Sequence, residues 1–370
     1  MTIEGIDLIK AVEEKINTIR TRSLDLSFNE LLDMYMDKEL IIDPEYQRLF
    51  RWSVGKQSRF IESLLLELPI PPIFVIELEE GVYELIDGLQ RISSYLNFRG
   101  ELVTGESLEL VDCDIVEALN GLKYEDLPKP LEIKLKRNFI RVEILRKESD
   151  PRLRYYMFKR LNTGGETLSN QEIRNSTIRL LDSGFNDLLI NFSSDIHFQS
   201  TISNLSENKV NEKYDQELVL RFLAFKNNIS EYVHDVSDFL TEYMESATLK
   251  LKAGELDTSL ELVTFRKTFA ILDFAMGGQV FAGLSTTSKP TNAFSAYHFE
   301  AFSLGIQPFI DLINENNAEE MARLREAFIA VKENPEFKKI TTGGGKNFRK
   351  PLADRIGFVE AKVKELYEQS

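Results

Sequence analysis

One short segment of the chain, Asp87-Gly88-Leu89-Gln90-Arg91, combines residue types that can hold a phosphate. The apolar run before it is typical of a strand, and the residues after it repeat at helical spacing, which predicts a strand-to-helix turn. Such a turn presents backbone N–H groups and the positive end of a helix dipole, and both favour an anion. Gly88 lets the backbone approach a ligand closely, and Arg91 can add a planar, bidentate phosphate donor.

Two roles are compatible with Asp87, and its position alone does not choose between them. Its carboxylate can hold a Mg²⁺ that bridges phosphates, because Mg²⁺ takes oxygen ligands and keeps several waters. It can equally cap the following helix, since Asp is common at that position. Hydrolysis at such a phosphate would also need a side chain that orients a water, and the candidates are Gln90, Glu62 and Asp43.

The elements around this turn are predicted from the spacing of apolar residues. Residues 57–68 form one apolar stripe that ends at prolines, which indicates an amphipathic helix. The runs Ile73–Leu78 and Val82–Ile86 flank a Gly-containing turn and predict a β-hairpin. Phe139–Leu145 alternates as a further strand of the same sheet would.

The remainder of the chain is mostly helical in pattern. Five segments show clear helical spacing: Glu217–Phe225, Val236–Met244, Leu262–Phe274, Ala318–Val331 and Pro351–Tyr367. Ser169 and Glu172 fit a capping box, so Glu172 is expected to cap a helix rather than supply a second catalytic carboxylate. Arg174 is expected on the surface of that helix. These patterns predict the α+β class, with an α+β domain at 1–150 that contains the 87–91 turn and a helical domain at 151–370.

Composition predicts a folded protein of the cytoplasm. The 370 residues are 43% hydrophobic and 28% charged, which is the ordinary globular range. The single cysteine, Cys113, excludes an internal disulfide framework, and the acidic amino terminus does not have the pattern of a secretory signal. The most apolar long stretch, 268–284, contains Asp273 and Gln279 and falls short of a membrane span.

The net charge of −15 argues against nucleic-acid binding over the surface as a whole, because negative charge repels the phosphate backbone. Two basic segments stand out from this background. Residues 134–160 contain ten Lys or Arg against three acidic residues, and residues 338–355 contain six Lys or Arg. Each segment is compatible with a DNA-facing surface and with an ordinary solvated face that balances acidic ones.

Four motifs in a fixed order resemble the DGQQR-type amino-terminal domain of GmrSD-like restriction endonucleases. They are DPEYQRLFRW at 43–52, IES at 61–63 with PIPPI at 69–73, IDGLQR at 86–91, and FKRLNTGG at 158–165 followed by LSNQEIR at 168–174. The resemblance extends over about residues 25–190. The chain departs from the usual signature at Leu89, where Gln is common. If the side chain at position 89 contacts the substrate, this departure affects hydrolysis. If the side chain only packs in the interior, the departure has little effect.

The resemblance implies a ParB- or sulfiredoxin-like mixed sheet that binds a nucleoside triphosphate with Mg²⁺ in a bacterial system restricting modified or foreign DNA. It implies catalytic roles for Asp87, Gln90 and Arg91, with Asp87 as the metal ligand. The residues it implies for nucleotide binding are Tyr46, Gln47, Arg48, Gly88, Arg160 and Asn162. Tyr46 is equally compatible with core packing, and Arg160 and Asn162 with an exposed helix end and its cap.

GmrSD-type enzymes carry their nuclease chemistry in a separate carboxy-terminal domain with a histidine motif. His197, His234 and His298 lie far apart in this sequence and do not form such a motif, so DNA cleavage by this chain alone is not expected. Two hypotheses follow. One is a nucleotide-hydrolysing switch or sensor that signals to a partner, and the other is a non-catalytic DNA- or protein-binding module that recruits a nuclease.

Overall fold

The computed structural model describes two compact units, 1–167 and 168–370. The described residues are 20–42, 50–102, 107–149, 169–179, 181–233, 235–284, 290–343 and 345–368, with 10 and 13 as isolated positions. The predicted domain boundary at 150/151 falls at the edge of 150–168, which lie outside the described residues, so that boundary stays a prediction.

A five-stranded mixed sheet organises the first unit. Its strands are β1 (Thr21–Ser27), β2 (Leu40–Ile41), β3 (Ile73–Glu79), β4 (Val82–Asp87) and β5 (Phe139–Leu145). They lie in the order β1-β5-β3-β4-β2. The β1/β5 and β3/β4 pairs are antiparallel, whereas β3/β5 and β2/β4 are parallel. The predicted hairpin is confirmed as β3 and β4, and the strand Phe139–Leu145 is confirmed as β5.

Within the described residues, four α-helices accompany this sheet: α1 (Phe28–Met36), α2 (Val54–Leu65), α3 (Leu89–Phe98) and α4 (Lys129–Arg137). Ser27 and Ser53 start α1 and α2, because each serine hydroxyl accepts a backbone N–H of the first helical turn. The helix predicted at 57–68 is α2, which begins and ends three residues earlier than the apolar stripe indicated. Tyr95 of α3 packs against Phe28 of α1 with ring centroids 4.9 Å apart.

In the part that the structure describes, the second unit is mainly helical and has one short hairpin. Its helices are α5 (Asn170–Ile178), α6 (Gly184–Ser193), α7 (Ile196–Thr201), α8 (Glu207–Asn211), α9 (Tyr214–Asn228), α10 (Val236–Lys252), α11 (Thr258–Met276), α12 (Ala296–Gly305), α13 (Ala318–Glu333), α14 (Pro335–Thr341) and α15 (Arg349–Glu368). The hairpin strands are β6 (Ala282–Leu284) and β7 (Pro290–Phe294). All five helices predicted in this region are present, and the α+β fold class is confirmed.

The core of the second unit is rich in phenylalanine. Phe265 and Phe269 of α11 are fully buried, with ring centroids 4.5 Å apart. Phe198 of α7 and Phe222 of α9 pack against both rings. Aromatic side chains bury large apolar areas, so this cluster joins three helices into one core.

A chain of buried ion pairs crosses the same unit and corrects two expectations. It runs Arg174–Glu217–Arg221–Glu300–Arg355, with N···O distances of 3.1, 3.4, 2.5 and 2.5 Å. Arg174 is 3% exposed, so the prediction of a surface position was wrong. Arg355 is 1% exposed and therefore does not belong to a solvent-facing basic segment. Each charge needs its partners, because an unpaired buried charge is costly.

Lys332 of α13 is a further buried cationic side chain in this unit. Its ammonium donates to the carbonyl oxygens of Gln279 and Ala282 at 2.6 and 2.7 Å, and the side chain is 2% exposed. Burial lowers the pKa of Lys332 to about 7. Burial, with Lys332 nearby, also lowers the pKa of His298 to about 4.

Among the helices of the described ranges, none has the length and apolar character needed to cross a membrane.

Candidate functional site

The predicted strand-to-helix turn is present at the end of β4. Asp87 is the last residue of that strand, Gly88 has a left-handed conformation with φ of 103°, and α3 starts at Leu89. Within the described residues, no side chain makes a capping hydrogen bond at this helix start. Asp87 therefore does not cap α3. The helix terminus keeps the character that attracts an anion.

Gly88 is required by the local packing as well as by its backbone angle. A Cβ built there would lie 2.3 Å from Cγ2 and 2.9 Å from Cβ of Ile73. Ile73 is the first residue of β3 and is fully buried. The start of β3 therefore packs directly against the turn, and a side chain at position 88 would push the strand and the turn apart.

Asp87 and Arg91 form an ion pair across the first turn of α3. Arg91 Nη2 donates to Asp87 Oδ2 at 2.8 Å, and Arg91 Nη1 donates to the carbonyl oxygen of Pro71 at 3.2 Å. The side chains are 13% exposed for Arg91 and 32% for Asp87, so the pair lies at the surface of the turn. Two bonds use two of the five N–H donors of a guanidinium. The group is thus fixed in position while retaining donor capacity.

Gln90 fastens a second loop to the turn, a role that sequence reasoning missed. Its Oε1 accepts the backbone N–H groups of Arg51 and Trp52, both at 3.0 Å. Gln57 of α2 supports the same loop by donating to the carbonyl oxygen of Trp52 at 2.8 Å. The loop is the end of the DPEYQRLFRW motif, so the first and third motifs of the resemblance meet here. The order of the motifs in the sequence was the available signal.

Leu89 lies in the interior, with 4% of its surface exposed. The position at which this chain departs from the usual signature is therefore a packing position. A leucine at this buried site preserves the apolar contacts of the α3 amino terminus.

Glu62 is occupied by a structural role. Its side chain is 1% exposed, and its Oε1 accepts the backbone N–H groups of Ile115 and Val116 at 3.1 and 2.6 Å. A buried carboxylate held in this way stabilises the loop and is poorly placed to activate a water. Cys113 in the same loop is also buried, and burial raises the pKa of its thiol to about 11, which disfavours the reactive thiolate.

Several predicted site residues lie outside the described residues. They are Tyr46, Gln47 and Arg48 of the first motif, Arg160 and Asn162 of the last motif, and Asp43. Glu172 forms the predicted capping box, in which Ser169 Oγ accepts the N–H of Glu172 and Glu172 Oε2 accepts the N–H of Ser169. Over the described ranges, no group of three or more His, Cys, Asp or Glu has the arrangement of a metal site.

Acidic partners pair with three of the six Lys and Arg residues in the described part of the 134–160 segment. Arg141 forms a two-point pair with Asp25 at 3.0 and 3.1 Å. The other pairs are Lys134 with Glu67, and Arg146 with Glu77 and Glu148. In the 338–355 segment, Lys350 pairs with Asp354, and Lys339 with Glu336. These pairs reduce the net positive charge that either segment presents to a polyanion.

The fold and the turn together define an α+β domain with an anion-type strand-to-helix turn beside a fixed arginine. The family model for the GmrSD restriction endonuclease, N-terminal domain, matches residues 28–179. This segment of the chain is a domain of that family. No curated protein and no solved structure matches the chain. A domain of this family implies a component of a restriction or phage-defence system.

Proposed function

We propose that the first unit binds a nucleoside triphosphate with Mg²⁺ at the 87–91 turn, and that binding controls a nuclease partner of the defence system. The observation that carries the proposal is the uncapped start of α3, with Arg91 held beside it by Asp87 and the Pro71 carbonyl. A helix start and a fixed guanidinium are complementary to phosphate oxygens.

Asp87 fits the role of a Mg²⁺ ligand in such a complex. Its side chain is 32% exposed and stands at the carboxyl end of β4, beside the proposed phosphate position. Mg²⁺ is often held by one or two protein carboxylates together with waters and substrate phosphates, so a larger ligand cluster is not needed. Since Asp87 also pairs with Arg91, the carboxylate couples the metal position to the phosphate donor.

The bond from Gln90 to the Arg51 loop supports contributions from the first motif. Arg48 is three positions before Arg51 in the chain, so their Cα atoms are at most about 11 Å apart. That distance permits Arg48 to reach a phosphate at the turn, and Tyr46 and Gln47 belong to the same short connection. Arg160 and Asn162 are proposed to close the site from the last motif.

Nucleotide binding is better supported than nucleotide hydrolysis. Of the three candidates for orienting a water, Glu62 is buried under a loop and Gln90 uses its side-chain oxygen to hold backbone N–H groups. The third, Asp43, lies outside the described residues. Hydrolysis is therefore proposed as a slow step that resets a regulatory state, with Asp87, Gln90 and Arg91 as the residues at the reacting phosphate.

The test is a calorimetric titration of the purified chain with ATP, GTP, CTP and UTP in Mg²⁺, combined with measurement of phosphate release. Arg91→Ala is expected to weaken binding at least tenfold, in keeping with the loss of a charge-assisted, two-point contact of about 1.5–3 kcal/mol. Arg141→Ala is the matched control, because it removes another arginine from an arginine–aspartate pair of the same unit. Absence of binding to all four nucleotides would refute the proposal.

Asp87→Asn separates the two roles of the carboxylate. If Asp87 holds Mg²⁺, the variant loses the difference in affinity between titrations with Mg²⁺ and with EDTA. If Asp87 only positions Arg91, the variant weakens binding equally in both conditions. The second result would remove the metal role while leaving the nucleotide site intact.

The second candidate function is a non-catalytic module that recruits a nuclease through protein contacts. It is favoured over DNA binding by the ion pairs of Arg141, Arg146 and Lys350, which neutralise cations in both basic segments. Fluorescence anisotropy with a labelled duplex distinguishes them. A DNA-binding surface would give an affinity that falls steeply between 50 and 200 mM salt, whereas a protein-recruiting module would show no such binding.

A further inference from the structure

An apolar cavity of about 230 Å³ lies in the first unit, between α1 and the five-stranded sheet. One face of all five strands contributes to its wall, because residues paired across neighbouring strands point to the same side. The sheet residues that line it are Leu24, Leu26, Val142, Ile144, Val75, Tyr83 and Leu40. Leu31 and Met34 of α1 form the opposite wall. None of these residues belongs to the 87–91 turn.

The helix α1 does not cover this face of the sheet completely. Nine residues of helix span about 13 Å, whereas five strands span about 19 Å. Phe28, Leu31 and Leu32 are buried beneath the helix, but Met34 and the β1 residues Leu24 and Leu26 remain partly exposed. The cavity is therefore accessible from solvent and is not a sealed packing defect.

Its size selects the kind of group that it can take. A cavity of about 150 Å³ with apolar walls accommodates benzene, and sites for drug-sized ligands begin at about 300 Å³. At 230 Å³ the space fits one large apolar side chain and is too small for a nucleotide. The expected occupant is a Leu, Met or Phe side chain of a polypeptide.

The rim of the cavity is acidic. Glu30 and Glu39 line the opening and are exposed, and across the described ranges neither forms an ion pair with a lysine or arginine. Further exposed acids lie beside the lining residues in the sequence, namely Asp33, Asp37, Glu79 and Glu80, against the exposed bases Arg22 and Lys38. The exposed Arg141 also lies beside a lining residue, but it is paired with Asp25. The chain as a whole carries a net charge of −15, which steers basic partners toward such a rim.

We propose that this cavity is the docking site for a basic segment of a partner protein, which inserts one Leu, Met or Phe side chain flanked by Lys or Arg. The acidic rim favours a basic partner. The cavity volume has room for one large apolar side chain, which would supply most of the binding energy. The site is independent of the nucleotide turn.

The test is selection of a random 12-residue phage-displayed peptide library on the immobilised full chain, followed by affinity measurement of the enriched peptides by fluorescence polarisation. Enriched peptides are expected to contain one Leu, Met or Phe next to Lys or Arg. Met34→Trp fills the cavity and is expected to weaken their binding at least about tenfold, as removal of an anchor pocket does. Met36→Trp is the matched control, because Met36 is on the same helix, is 55% exposed and does not line the cavity.

A second variant, Glu39→Lys, tests the charge argument without altering the apolar wall. It is expected to weaken binding about threefold or more and to reduce its dependence on salt. The proposal is overturned if no peptides are enriched, if enriched peptides are acidic, or if Met34→Trp and Met36→Trp bind them equally. It is also overturned if the full chain forms a dimer that Met34→Trp dissociates, because the occupant would then be a second copy of the chain.

Discussion

Gly88→Ala is the substitution whose cost follows most directly from the geometry of the turn. The backbone angle of 103° costs a residue with a side chain about 1–2 kcal/mol. The new Cβ would meet Ile73 Cγ2 at 2.3 Å, a forced overlap that typically costs about 1–3 kcal/mol. The expected loss in the free energy of unfolding is about 2–5 kcal/mol, a large part of the stability of a domain.

Gly81→Ala is the matched control for this measurement. Gly81 lies in the turn between β3 and β4 and also has a positive φ, 81°, but a Cβ there would have no neighbour within 4 Å. It should therefore cost only the backbone part, about 1–2 kcal/mol. The difference between the two variants isolates the close approach of β3 to the turn.

The assay is urea unfolding followed by the fluorescence of Trp52, the single tryptophan, which lies in the first unit beside the turn. Adding Ile73→Ala to Gly88→Ala should restore part of the lost stability relative to the sum of the single effects, because it removes the clashing methyl group. Equal costs for Gly88→Ala and Gly81→Ala would refute the packing argument.

Three further predictions concern buried charged groups. The pKa of Lys332 is lowered to about 7 in the folded state, so between pH 7 and pH 9 the unfolded chain binds more protons than the folded one. The free energy of unfolding of the second unit, relative to that of Lys332→Met, should therefore rise by about 2 kcal/mol over this range, as measured by circular dichroism in denaturant. A flat difference would contradict it. Glu62→Ala should lower stability by about 2–4 kcal/mol by leaving two backbone N–H groups unpaired, while Glu62→Gln should leave any phosphate release unchanged. Arg355→Ala should lower the free energy of unfolding by about 3–5 kcal/mol, because Glu300 loses one of its two cationic partners. The control Lys350→Ala, at an exposed pair, should change it by less than about 1 kcal/mol, and similar losses for the two variants would argue against the buried ion-pair chain.

Local patterns were sufficient to predict the elements that carry the candidate site. The apolar runs of β3 and β4 and the alternation of β5 marked three of the five strands, because their side chains face a buried core. The strand β1 has a largely exposed pattern, and β2 has only two residues, so neither left a periodic signal. Pairing of β1 with β5 joins residues more than 100 positions apart and is set by tertiary packing.

The strand-to-helix turn at 87–91 was predictable from the sequence, but its contacts were not. The types of Asp87, Gly88 and Arg91 indicated an anion turn, yet whether Asp87 caps the helix or pairs with Arg91 depends on side-chain geometry that spacing does not fix. The hydrogen bonds between Gln90 and the backbone of the Arg51 loop join the first motif to the third. These motifs are far apart in the sequence, so spacing alone did not predict the contact. Arg174 was placed on the surface because arginine usually is, whereas its buried partners come from α9 and α10.

Hydrogen–deuterium exchange of the backbone amides at Leu89, Gln90 and Arg91, with and without a saturating nucleoside triphosphate and Mg²⁺, tests the proposed site most directly. If the start of α3 holds the phosphates, these N–H groups become donors to the ligand, and their exchange should slow markedly while Gly81 in the nearby hairpin turn is unaffected. Slowed exchange elsewhere in the chain, with no change at positions 89–91, would contradict the assignment of the nucleotide to this turn.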